Sequence, residues 1–149
     1  MTAIQAPPDA SADLFAELFR HAQAAAQHAY APYSRFRVGA ALRFDDGTTV
    51  TGCNVENASY GLTSCAERNA LFRAISESGP TRRIVAVAVA NLNQAASAPC
   101  GACRQVLAEF VTTSATIVFS GPSGAPLPPV PFAELLPYCF VFPEQERPA

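Results

Sequence analysis

The sequence predicts an α/β fold: a three-layer α-β-α sandwich around a mixed, five-stranded central sheet, built as one domain over residues 1–149. Three observations carry that expectation. Ile84-Val85-Ala86-Val87-Ala88-Val89-Ala90 is continuously apolar, as a strand buried on both faces is, and is therefore placed at the centre of the sheet. The runs Val38 to Phe44 and Thr48 to Asn54 flank Asp45-Asp46-Gly47, a strong hairpin signal, and predict an antiparallel pair. Segments of helical period alternate with these strands, which puts helices on both faces.

In chain order, residues 1–10 hold Pro7, Pro8 and small residues and read as a loose arm. Ser11 is a candidate N-cap, after which Leu14, Phe15, Leu18, Phe19, Ala22, Ala25, Ala26 and Ala29 recur on one helical face. His21 and His28 lie on its flank and read as surface residues without chemistry. Tyr30 to Phe36 is an aromatic loop, because Pro32 cannot continue a helix. Behind the hairpin and a polar loop from Val55 to Thr63, a helix is predicted over Ala66 to Ser78, stopping near Gly79-Pro80. The central strand is followed by a helix at about Gly101 to Val111, a strand from Thr116 to Phe119, and a turn from Gly121 to Gly124. Pro126, Pro128 and Pro129 restrict the next strand to the sheet's edge, and a short helix at Phe132 to Leu136 precedes an aromatic tail, loose over 143–149. Crossovers after the second and third strands are expected to be right-handed and to produce parallel neighbours.

Composition narrows the function. Half of the residues are apolar, 50%, and only 15% are charged, more apolar surface than a small monomer easily hides, so self-association is expected. A net charge of −2 gives no footprint for a polyphosphate chain, which argues against a nucleic-acid polymer as partner and for a small, nearly neutral substrate. No stretch approaches the roughly 18 consecutive apolar residues of a membrane span, and the N-terminus lacks an export signal. A cytoplasmic protein without membrane contact is expected. Its five cysteines then read as thiols or metal ligands rather than a disulfide framework.

The chemistry is concentrated in Ser64-Cys65-Ala66-Glu67 and Pro99-Cys100-Gly101-Ala102-Cys103. Three thiols with a carboxylate beside them make a three-ligand zinc site with a position left open for water and an acid/base group at hand, which is a hydrolytic arrangement. Both motifs lie where a strand gives way to a helix, so one mouth of the sheet can hold Cys65, Cys100 and Cys103. Two helix starts supply positive potential to the thiolates, and Arg68 and Arg104, each next to a motif residue, are candidate hydrogen-bond donors to them. Other readings compete. Ser64-x-x-Glu67 is also a capping box; Cys100-x-x-Cys103 alone is also a redox dithiol; and Cys53 or Cys139 as a fourth thiolate would close the site into a structural one, leaving a zinc-stabilised interaction domain. Against the capping role, Glu67 lies four residues before Leu71 and seven before Ala74, on the side facing the core.

Here the chain resembles a known family. Tyr30-Ala31-Pro32-Tyr33-Ser34-Arg35-Phe36, Gly52-Cys53-Asn54-Val55-Glu56-Asn57-Ala58-Ser59-Tyr60, Cys65-Ala66-Glu67-Arg68 and Pro99-Cys100-Gly101-Ala102-Cys103-Arg104-Gln105 are similar to the small homotetrameric zinc-dependent cytidine deaminases, over most of residues 14–140. The resemblance implies one Zn²⁺ per subunit on Cys65, Cys100 and Cys103, Glu67 as proton shuttle, and Arg68 supporting the thiolates. It implies a pyrimidine-nucleoside pocket formed by Phe36, Ala66 and the stretch Asn54, Val55, Glu56, Asn57, Ala58, Ser59 and Tyr60, with Asn54 and Glu56 on the ribose 3′-hydroxyl. Phe140 corresponds to a C-terminal phenylalanine that reaches a neighbouring subunit's pocket. The implied reaction is hydrolytic deamination of cytidine and 2′-deoxycytidine to uridine and 2′-deoxyuridine with release of ammonia, by zinc-activated water, in pyrimidine salvage. A deaminase of a related aminopyrimidine such as blasticidin S shares the zinc motifs, but its relatives lack the Asn-x-Glu-Asn stretch found at Asn54 to Asn57. The chain departs from the family at Pro128, Pro129 and Pro131, which break its last strand.

Overall fold

The computed structural model describes residues 12–140. The candidate cap Ser11, the arm at 1–10 and the tail at 143–149 lie outside the described residues. The elements run α1 (Ala12–Ala26), β1 (Val38–Phe44), β2 (Thr49–Cys53), α2 (Ala66–Ser78), β3 (Ile84–Asn91), α3 (Gly101–Ala108), β4 (Val111–Phe119) and β5 (Val130–Pro131), with short 3-10 helices at Tyr60–Leu62 and Phe132–Leu135. The sheet order is β2-β1-β3-β4-β5, five strands with β3 in the middle. Only β3 and β4 are parallel neighbours; the β1–β2, β1–β3 and β4–β5 pairs are antiparallel, so the sheet is mixed.

Residue alternation along the strands builds the two outer layers. Ala41, Ala86, Ala88, Ala90 and Val118 meet Phe15, Leu18, Phe19 and Ala22 of α1 on one face. Ala40, Leu42, Val87, Val89 and Ile117 meet Ala70, Leu71 and Ala74 of α2, Leu107 of α3 and Phe132 on the other. At the hairpin the helices pack directly onto glycine backbone. A Cβ on Gly39 would stand 1.9 Å from the Ala22 carbonyl oxygen, and one on Gly52 would stand 2.5 Å from the Ala70 nitrogen, so α1 and α2 each press on bare backbone.

Several expectations are corrected. The strands β2 and β3 are not neighbours, because β1 folds back and inserts between them; the crossover through α2 passes over one strand. The first helix ends at Ala26 rather than continuing to Ala29, tightening there through Gln27, His28 and Ala29 N–H groups that donate to carbonyls three residues back. The third helix ends at Ala108, and Val111, expected at its end, instead opens β4, five residues before the expected Thr116. Val111 pairs with Ile84, and the Ile84 N–H donates to the Phe110 carbonyl at 2.9 Å. The last short helix is a 3-10 turn ending at Leu135.

Candidate active site

The carboxyl end of β3 and the starts of α2 and α3 meet at one edge of the sheet. Cys65 and Cys100 are the N-cap residues of α2 and α3, both in extended geometry, so each thiol is placed beside a helix start whose first N–H groups have no intrahelical partner. Cys103, one turn into α3, is fully buried. The three sulfurs lie within 4.8 Å of one another, and those of Cys65 and Cys100 are 3.8 Å apart. A tetrahedral zinc with Zn–S bonds of about 2.3 Å separates its sulfurs by roughly 3.8 Å, so the donor set fits that ion. Neither Cys53 nor Cys139 joins the group, which removes the closed four-thiolate alternative.

The electrostatics agree with a cation site. Hydrogen bonding with Cys103 pulls the Cys65 thiol down to about 5, with help from Arg68 and Cys100, while the Cys65 partner and burial push Cys103 strongly up. An Arg68 guanidinium nitrogen stands 3.5 Å from the Cys65 sulfur. Arg104 does otherwise than expected. It donates to the Pro99 carbonyl at 2.8 Å and the Leu135 carbonyl at 2.9 Å, tying the start of α3 to the C-terminal segment instead of reaching a sulfur.

Glu67 is 4% exposed and lines a cavity of about 320 Å³ together with Cys65, Ala66 and Cys100. Burial pushes its carboxyl up to about 7, reinforced by the Cys65 charge. The capping box does not form: the N-cap is Cys65, whose side chain makes no capping bond, and the Ser64 hydroxyl donates to the Asn69 side-chain oxygen at 2.7 Å. A buried carboxyl raised toward neutrality, bonded at the helix start only to its own backbone N–H, has the properties of an acid/base group.

The remaining expected substrate residues divide. Phe36 and Asn54 line the cavity. The Asn54 amide donates to the Phe36 carbonyl at 2.8 Å and accepts from the Val38 N–H at 2.8 Å, leaving one donor hydrogen and one lone pair for a ligand. Glu56, 9% exposed, accepts from the N–H groups of Tyr33 (2.9 Å) and Ser34 (3.2 Å) and from the Ser34 hydroxyl. These bonds, the Ser34 hydroxyl first, hold its carboxyl below the usual range. Glu56 itself is not in the wall, and neither are Val55, Asn57, Ala58, Ser59 and Tyr60. Val55 bridges backbone to Tyr30 and Ser64, the Asn57 side chain accepts from the Ser59 N–H, and Tyr60 stacks edge-on against Tyr33 at 6.0 Å. Phe140 is 70% exposed and stands outside the cavity, its carbonyl held by the Gln105 amide at 2.9 Å.

Some wall and support residues carry no motif. Thr63 and Ser97 line the cavity, and Asn69 fixes the Cys65 turn by donating to the Cys53 carbonyl at 2.8 Å. In the sequence, Asn69 is marked only by its place four residues after Cys65 in the first turns of a helix, and Thr63 and Ser97 read as ordinary loop residues.

Comparison with known proteins places this geometry. Residues 14–120 match the cytidine and deoxycytidylate deaminase zinc-binding region. The chain is 49% identical over 123 residues to a cytidine deaminase of Halalkalibacterium halodurans, covering 83% of this chain and 91% of that protein. Among solved structures, it is similar to the cytidine deaminase of Burkholderia pseudomallei, with a TM-score of 0.76, 45% identity, and coverage of 84% of this chain and 98% of that one. The Mycobacterium tuberculosis cytidine deaminase gives a TM-score of 0.73 at 42% identity, covering 85% of this chain and 97% of that one.

Proposed function

Since the chain belongs to the cytidine and deoxycytidylate deaminase zinc-binding family, we propose that it converts cytidine and 2′-deoxycytidine with water into uridine and 2′-deoxyuridine and ammonia. The observation that carries this is the buried Glu67 beside the triangle of Cys65, Cys100 and Cys103, at the foot of a cavity large enough for a pyrimidine. Zinc on these thiols supplies Lewis acidity, which brings the pKa of a water down toward about 7. Glu67 takes a proton from the attacking water and delivers it to ring N3, then passes the second proton to the departing amino group. The bond to N4 breaks as the C4 carbonyl forms. A carboxyl near neutrality serves in both directions, because it gives up and accepts a proton at similar cost.

Arg68 and the two helix starts hold positive potential against the thiolates. The Ala66 N–H, in the first turn of α2 and without an intrahelical partner, can donate to the pyrimidine carbonyl. Phe36 walls the base and sugar, and Asn54 and Glu56 use their remaining hydrogen-bonding capacity on the ribose 3′-hydroxyl. The direct test is to incubate the purified protein with cytidine, following uridine by absorbance and measuring zinc alongside. A zinc-loaded protein without turnover would overturn the reading.

The sugar assignment has its own test. Glu56→Ala should lower kcat/KM on cytidine about ten- to a hundredfold, as when a buried partner is left unsatisfied. In the native protein 3′-deoxycytidine should be penalised similarly, and little further in the variant. Additive losses would show that Glu56 does not hold that hydroxyl.

We further propose a cytoplasmic homotetramer acting in pyrimidine salvage, with Phe140 completing a neighbour's site. The support is that Tyr138 and Phe140 are exposed rather than folded into their own core, alongside exposed Tyr30, Tyr60, Leu62 and Phe72. No helix among the described residues is long and apolar enough to cross a membrane. Light scattering should give a tetramer mass at micromolar concentration, and Phe140→Ala should raise KM about tenfold with zinc retained. A fully active monomer, or an unchanged KM, would refute the shared site.

A further inference from the structure

We propose that Asn91 and Asn93 are positioning residues whose side-chain amides clasp two walls of the cavity together and so set its fit to the nucleoside. The proposal rests on the cytidine-deaminating reading above and deepens it. Two walls are loops: the aromatic loop supplies Ser34 and Phe36, and the segment after β3 supplies Ala96, Ser97 and Ala98 on its way to Cys100. Each loop contains a non-glycine residue in left-handed geometry, Arg35 at φ 58° and Gln94 at φ 52°. Such residues persist only where their surroundings over-determine them, and they cluster at functional sites.

The asparagines provide that determination. Asn93 accepts from the Arg37 N–H at 2.9 Å and donates to the Arg35 carbonyl at 3.0 Å, bracketing Phe36 from both sides. Asn91 does the same for Gln94, accepting from the Asn93 N–H at 2.8 Å and the Ala95 N–H at 3.4 Å. Its amide nitrogen donates to the Ala95 carbonyl at 2.6 Å and to the Ser97 hydroxyl at 3.0 Å. Asn91 is 4% exposed at the end of the central strand, so the clasp is rooted in the rigid part of the fold. The Leu92 N–H adds a backbone rung to the Arg37 carbonyl at 3.1 Å. Gly124 presses from behind, where a Cβ would stand 2.7 Å from the Gln94 Cα. Only a side chain with a donor and an acceptor on one planar group can make both sets of bonds; a carboxylate lacks the donor.

The test uses the full-length, zinc-loaded protein. Asn93 is exposed, so Asn93→Ala should fold, bind one zinc per chain and keep kcat within about threefold, while KM for cytidine rises about tenfold. Glycine adopts positive φ without penalty, so adding Arg35→Gly should return KM to within about threefold of native, a recovery that a merely structural staple would not give. In Asn91→Ala, amide hydrogen exchange at residues 93–97 should quicken by at least about tenfold. An unchanged KM in Asn93→Ala, joint loss of kcat and zinc, absence of recovery with Arg35→Gly, or unaltered exchange would each overturn the proposal. The exchange readout needs no turnover, so it tests the clasp even if the native protein fails to deaminate cytidine.

Discussion

The Glu67→Gln protein is expected to purify with one zinc per chain and a native Tm, while kcat on cytidine falls about a hundred- to ten-thousandfold. Glutamine keeps the shape of the side chain in a position that is 4% exposed, so packing around the start of α2 is undisturbed. The thiols are also untouched. What disappears is a group able to accept a proton from water and release it to ring N3. Burial outweighs the nearby Arg68 charge and holds the carboxyl at about 7, so the neutral amide imposes no new desolvation and the fold should not weaken. Near-native turnover in this variant would remove Glu67 from the reaction and leave the carboxyl without a role.

Cys100→Ala should fail in a different way, losing both metal and turnover. Cys100 is the exposed member of the triangle and the N-cap of α3, but its thiol makes no capping bond, so the substitution costs the helix little directly. Metal content should fall below about a tenth of an equivalent, because binding is shared among three ligands. If the native protein holds zinc a thousandfold above its dissociation constant, that binding stabilises the fold by about 4 kcal/mol, and Tm should drop roughly 10 °C. Native protein stripped with a chelator should melt at the same temperature as the variant. Retention of a full equivalent of zinc by Cys100→Ala would show that this thiol is not a ligand.

The parts legible in the sequence are those where one local signal has one structural outcome. Helix α2 runs over Ala66–Ser78 as its spacing indicates, with Gly79 at φ 75° ending it, and β1 and β3 follow their apolar runs. The three thiols and Glu67 are brought together because two short motifs each join an extended residue to a helix start. The segment 106–116 was ambiguous because Val106, Leu107, Phe110 and Val111 suit a helix face, whereas Thr112 and Thr113 are β-formers whose pairing is decided by a distant strand. The insertion of β1 between β2 and β3 has no local signature, since either side of a hairpin can face the next strand. Asn93 carries no sequence signal, because its side chain bonds Arg35 and Arg37, more than fifty positions away in the chain, and no spacing rule reaches that far.

The outermost strand has a consequence for how copies of the chain can meet. Strand β5 is two residues long, Val130–Pro131, pairing with Ile117 and Thr116, and Pro128, Pro129 and Pro131 carry no N–H. A sheet margin this short and this poor in donors is a weak template for a foreign strand, so open-ended, fibre-like growth by lateral strand addition is disfavoured there. At that margin, any contact between copies is left to side-chain surfaces, which can be self-complementary and can close into a finite, symmetric particle. The prolines that interrupt the sheet thus act as a colloidal safeguard for a chain rich in exposed aromatic rings.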